Sequence, residues 1–209
     1  LTSAELSNVA TDTLVIGDAN SGAISVTADV TAPNVTNLHL ISNSTVTGAN
    51  ATGGINVGGG AGNLAVEAAG TVNLNDLSND AENVAITTTG GNITYVDADG
   101  FAVADVDGVF GIDANGMAST VTLSSTLGDV TVNNTSAASG NDIEATSNIG
   151  VTLSGNDATL TVAAGADVET SAGAITLTAD EMNIAGTVTN TGRTVTLTSN
   201  TITDDIVIH

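Results

Sequence analysis

Cysteine, lysine and tryptophan are absent from this 209-residue chain, and proline, arginine and tyrosine occur once each, as Pro33, Arg193 and Tyr95. Each absence excludes something. Without cysteine there are no disulfides and no thiolate metal sites. Without lysine there is no amine nucleophile, no Schiff base and no isopeptide cross-link. One arginine against 23 acidic residues gives a formal net charge of −22, so the basic footprint that nucleic acid or anionic lipid requires is missing. Trypsin has a single arginine to attack. No apolar run approaches the roughly 18 residues of a membrane span, so membrane insertion is not expected.

Aromatics make up 1 % of the chain, although hydrophobic residues make up 41 %. An ordinary globular core takes much of its buried area from aromatic rings. Here the apolar residues are small or β-branched and evenly spread, which suits a narrow core running the length of the molecule. High net charge with few aromatics also favours disorder. Against that stand only 11 % charged residues, a positive mean hydropathy and regular Val, Ile and Leu doublets.

What is present is repetition. Apolar and polar residues alternate in TLVIG (13–17), GAISVT (22–27), NLHLIS (37–42), GGINVGG (53–59), GNLAVEA (62–68), ENVAITT (82–88) and GNITYV (91–96). The pattern continues in STVTLSS (119–125), GDVTVNN (128–134), NIGVTLS (148–154), ATLTVAA (158–164), GAITLTA (173–179) and RTVTLTS (193–199). Such alternation marks a strand with one face in and one face out. Most segments follow Gly, Asn or Asp, which are turn residues.

Comparable strands recur near every twenty residues: Leu64-Ala65-Val66 to Val84-Ala85-Ile86, and Ile175-Thr176-Leu177 to Val195-Thr196-Leu197. A period in the range of about 20–50 residues marks a stacked-repeat architecture. The expected fold is all-β, a right-handed parallel β-helix (β-solenoid) of about ten coils of roughly 20 residues, forming one domain over 1–209 and a rod about 50 Å long at ~4.8 Å per coil. In-register stacking would set Thr, Asn and Val in ladders along it.

Residues 1–10, LTSAELSNVA, break the pattern. Thr2 with Glu5 three residues on forms a capping box, and Leu1 and Leu6 are placed as a hydrophobic staple. The segment reads as a short helical turn, either covering the end of the rod or turning a corner between coils. At the other end, TITDDIVIH reads as a strand without a cap, a template for another chain or for further repeats. There is no initiator Met and no signal peptide, and the chain reads as a processed or excised piece of something longer.

Residues 95–118 fall into three octads, YVDADGFA, VADVDGVF and GIDANGMA, each with Asp-x-Asp/Asn-Gly at the same place. Asp97 and Asp99, Asp105 and Asp107, and Asp113 and Asn115 are candidate oxygen ligands for Ca²⁺, the one cofactor the sequence offers ligands for; none is required. An EF-hand needs a further oxygen ligand and a Glu at position twelve, but Phe101, Val109 and Met117 follow the glycines. The calcium-binding β-roll nonapeptide is absent too; GGGAGN (58–63) comes nearest, without its Asp. Asp-Gly and Asn-Gly are equally tight-turn signals. The favoured reading makes each octad a short strand and a coil corner, with the aromatics Tyr95, Phe101 and Phe110 filling a wider core or a protruding hairpin.

LTSAELSNVATDTLVIGDANSGAISV (1–26), VDADGFAVADVDGVFGIDANG (96–116) and GAITLTADEMNIAGTV (173–188) together resemble the filamentous-haemagglutinin-type β-helix repeats of very large secreted bacterial adhesins. The resemblance implies a right-handed parallel β-helix, export to the bacterial cell surface, and a role as stalk or fibre. Partners would be the chain itself, stacked end to end, or flanking repeats of a longer chain, with cell-surface glycans or other cells as targets.

Other candidates carry less. His39 and His209 are far apart in sequence, with no partner at metal spacing, and read as surface or strand residues. Paired carboxylates on a polysaccharide-cleaving β-helix enzyme form a remote alternative, because one arginine is little to bind an acidic sugar. Gly58-Gly59-Gly60 lacks the helix and lysine of a phosphate loop. Asn34, Asn43, Asn50, Asn92, Asn133 and Asn134 stand in Asn-x-Ser/Thr sequences, expected by chance in so threonine-rich a chain. The sequence reading is a structural, non-enzymatic rod, with a calcium-dependent binding module as its alternative.

Overall fold

The alternating segments form strands, and the strands stack in parallel. The computed structural model describes residues 1–48, 52–136 and 142–201. His209, Asn50 and all but the first residue of TITDDIVIH lie outside the described residues. Apart from the helical turn Ser3–Leu6 and a 3₁₀ turn at Gly58–Gly60, regular structure among the described residues is strand. Every named strand pairing is parallel except one hairpin. This is a solenoid-like all-β fold.

One face is an eight-stranded sheet. In it Ile24, Val46, Val72, Ile93, Val121, Ile149, Ile175 and Val195 stand in register, Val46 to Ile175 buried in the core, Ile24 partly buried against it and Val195 exposed at the last rung. The intervening outward positions are Ser25, Thr47, Asn73, Thr94, Thr122, Gly150, Thr176 and Thr196. No charged residue occurs in that row, although the chain carries 23 acidic side chains.

The second face is a twelve-stranded sheet that forks. Strands Thr11–Gly17, Val35–Ser42, Asn63–Ala68 and Asn83–Thr88 pair along their length. The far edge of Asn83–Thr88 then takes two shorter strands side by side, Phe101–Val103 and Ile112–Ala114. Between them the chain leaves the sheet as the antiparallel hairpin of Asp105–Val106 with Val109–Phe110. Both prongs continue through later coils, one to Glu181–Ile184 and the other to Thr187–Asn190.

The expected step of twenty holds between Leu64 and Val84 and between Ile175 and Val195. Between them it lengthens, to 28 from Ile93 to Val121 and again to Ile149. The extra residues are the looped-out hairpin and longer corners, which leave the stacked positions in register.

The core is one cluster from Leu6 to Ala179, almost wholly Val, Ile, Leu and Ala. Tyr95 and Phe101 widen it locally, with ring centroids 5.1 Å apart and planes crossed at 87°. Phe110, by contrast, sits on the hairpin and is exposed. The expected polar ladder appears at Asn37, Asn63 and Asn83: each amide donates to the Oδ1 of the one before at 2.7 Å, and Asn37 donates to the Thr13 hydroxyl at 3.2 Å.

The capping box forms, with the Thr2 amide donating to Glu5 Oε2 at 2.8 Å and the Glu5 amide to the Thr2 hydroxyl at 3.3 Å. The turn packs against the core cluster. Leu6 is buried in the cluster, while Leu1 stays exposed. An open apolar cavity lies beneath the turn, lined by Leu6, Ile16, Ile24, Val30, Leu38 and Ile55.

Candidate functional site

The three octads adopt three different structures. The first is a corner: Asp97 ends the strand Ile93–Asp97 with its side chain turned inward and buried. It accepts from the Tyr95 hydroxyl at 2.6 Å and from the backbone N–H of Gly100, Asp99 and Ala81 at 3.0, 3.2 and 3.3 Å. Burial pushes its carboxyl up to about 6, although all these donors pull the other way. Asp99 is exposed at the same corner; burial, with the Asp99 charge as a smaller contribution, raises Asp80.

The second octad is the hairpin rather than a corner. Asp107 and Gly108 both have positive φ, 47° and 85°, the backbone of a two-residue type I′ turn, for which Asp-Gly is a preferred pair. Asp105 accepts from the Ser136 backbone at 3.0 and 3.2 Å. The third octad is a short strand and a corner, where the Asn115 amide donates to Asp113 Oδ2 at 2.6 Å.

The six residues therefore separate: Asp97 and Asp99 at one corner, Asp105 and Asp107 on the hairpin, Asp113 and Asn115 on the second prong. Among the described residues no three His, Cys, Asp or Glu side chains group as a metal would need. The carboxylates that do stack are Asp113, Glu144 and Glu169, opposite one another on successive strands. Burial, then the Glu144 charge, raises Asp113, whose Oδ1 is buried without a hydrogen bond. Like charges directly opposite in a sheet destabilise it, so Glu144→Gln is expected to raise stability by about 0.2–1 kcal/mol at pH 7. Denaturant unfolding at low and high salt checks this, because screening should shrink the gain.

No family model, curated protein or solved structure matches the chain.

Sequence reasoning passes over a polar cluster centred on His39. His39 was expected on the surface or within a strand; it lies in a strand, Val35–Ser42, but at 5 % exposure. Leu38 and Leu40 turn into the core, so His39 points outward, and the hairpin covers it there. His39 Nδ1 lies 2.8 Å from Asp107 Oδ2, at the hairpin turn. On the ring's other side Glu67 Oε1 is 3.1 Å from Nε2, yet Nε2 forms no hydrogen bond.

Beneath the hairpin runs a row of outward positions, His39, Ala65 and Ala85, paired strand to strand. Val106 and Val109 close over the two alanines in a small apolar cluster separate from the main core. The hairpin alternates as a two-sided strand pair should: Val106 and Val109 face the sheet, Asp105 and Phe110 face away. The sequence does carry a signal for this. Leu38-His39-Leu40, Leu64-Ala65-Val66 and Val84-Ala85-Ile86 are buried at three consecutive positions, and two-faced strands do that only where the outer face is covered.

Proposed function

We propose that the chain is a structural segment of a secreted, cell-surface adhesin or extracellular filament. It serves as a rigid right-handed β-solenoid rod for adhesion, spacing or matrix formation. The observation that carries this reading is the eight-stranded parallel sheet, in register from Ile24 to Val195, with one continuous core beneath it from Leu6 to Ala179. Right-handedness is what crossover connections between parallel strands of one sheet adopt in roughly 98 % of cases. Counted on that sheet the rod has eight coils, and its first and last strands are about 34 Å apart at ~4.8 Å per step. In this reading the chain is not an enzyme, and its charge keeps like rods apart laterally.

Its partners are flanking repeats or a second copy. Among the described residues the last strands, Glu181–Ile184, Thr187–Asn190 and Val195–Thr198, pair on one side only, and Ile184, Val195 and Leu197 are 37–45 % exposed. A further coil laid on that edge would cover them and complete the ladder. The second reading, a calcium-dependent binding module, is favoured by the stacked Asp113, Glu144 and Glu169, whose repulsion a divalent cation would relieve.

Electron microscopy of the isolated protein, with and without a calcium chelator, tests both. Straight rods or unbranched fibres with a ~4.8 Å repeat along the axis, unchanged by chelator, are expected. Round particles would overturn the rod, and rods that collapse in chelator would favour the second reading.

A further inference from the structure

We propose that His39, Asp107 and Glu67 form a latch that tightens in acid, holding the Asp105–Phe110 hairpin on the outer face of the long sheet and loosening as the imidazole loses its proton. The argument starts from donor counting. A neutral imidazole has one N–H and one bare nitrogen; an imidazolium has two N–H groups. With one proton, the Nδ1–H donates to Asp107 at 2.8 Å and the bare Nε2 faces a Glu67 carboxylate oxygen at 3.1 Å, lone pair against lone pair. That accounts for a buried nitrogen without a hydrogen-bond partner. A second proton turns the repulsive contact into a charge-assisted one and strengthens the bond to Asp107. The cluster's formal charge falls from −2 to −1.

The surroundings add no competing charge. The strand Thr11–Gly17 sets Val15 beside His39, and Asn63–Ala68 and Asn83–Thr88 set Ala65 and Ala85 below it. Glu67 is the titratable group facing it from Asn63–Ala68, and Asp107 the one from the hairpin; Asp105 is turned to the Ser136 backbone. Histidine changes charge between about pH 5 and 8. Besides the latch, the hairpin is held by two valines on two alanines, by the Ser136 N–H donating to Asp105, and at its base by backbone bonds from Ala104 to Val84 and from Ile86 to Gly111; at the turn itself the hydrogen-bonded charge is the hold. Lifting the hairpin would uncover Ala65, Ala85, Val106 and Val109.

The test is methyl NMR of the whole chain between pH 5 and 8, following the cross-peaks of Val106 and Val109 with Ala65 and Ala85. In the wild type the undocked-to-docked ratio is expected to rise at least about tenfold over that range, the worth of a hydrogen bond to a charged group. In Asp107→Asn the ratio should stay flat and undocking should already be raised at pH 5. That variant keeps the turn, because Asn-Gly suits type I′ as well as Asp-Gly does. His39→Gln should also be flat. A wild type that stays docked throughout overturns the latch. So does Asp107→Asn following the wild-type curve, because general relief of acidic repulsion would then be the cause. Val121 and Ile149 methyls, far inside the core, serve as the reference for global loosening.

Discussion

Replacing Leu123 by alanine is expected to cost about 2–5 kcal/mol. Leu123 is fully buried in the eight-stranded sheet, between Tyr95 on one coil and Val151 on the next. The same ladder runs on through Leu177 to Leu197. In a thin core each side chain touches mainly its counterparts above and below, so a cavity at 123 has few neighbours able to close over it. Leu197, at the last described rung, is 45 % exposed; Leu197→Ala should cost about 1 kcal/mol or less. Denaturant unfolding of the two variants checks the contrast. Equal losses would mean that the stacked core does not carry stability from coil to coil.

The strands were legible where alternation ran for five residues or more. Each alternating segment quoted from the sequence contains a strand. Several short strands escaped: Val46–Gly48, Val72–Leu74, Ile143–Ala145 and Asp167–Thr170 hold three or four residues each, whereas the equally short Ile24–Val26, Ile55–Val57 and Val130–Val132 were legible inside longer alternating runs. So short a run is not distinguishable from a loop until a neighbour pairs with it, and here the neighbour is 20 or more residues away. The step length was legible only where corners are tight, because residues added at a corner change the period without disturbing the ladder.

The site was less legible than the fold. Asp107-Gly108 announces a tight turn, and the octad repeat suggested three equal ones. The difference lies in what each octad joins: the first and third link strands of different sheets, whereas the second links two strands that pair only with each other. His39 was dismissed because its partners, Glu67 and Asp107, lie 28 and 68 residues on. Stacking brings the first beside it and a folded-back hairpin brings the second; residue spacing reports neither. The outward alanines 65 and 85 are the available clue to a covered face.

Between pH 4 and pH 7 the fold is expected to lose about 3 kcal/mol of stability through Asp97 alone. In the unfolded chain an aspartate ionises near 3.9, whereas burial in the folded corner pushes Asp97 up to about 6. Below the lower value the side chain is protonated in both states and stability does not depend on it. As pH rises from there the unfolded chain releases the proton first, so stability falls until the folded carboxyl ionises too, and above 6 the loss is complete. Burial raises Asp80 and Asp113 in the same direction. Asp76 opposes them: burial raises it, but the Gly53 and Ser78 N–H groups outweigh that and hold it below the usual carboxylate range, so its contribution is lost as pH drops through its folded value. The two signs place maximum stability near the ordinary carboxylate value, at about pH 4. Unfolding midpoints taken from pH 3 to pH 8 should trace a dome with that maximum, and Asp97→Asn should remove most of its alkaline slope below pH 6. A slope unchanged in that variant would assign the pH dependence to net charge and not to the buried corner.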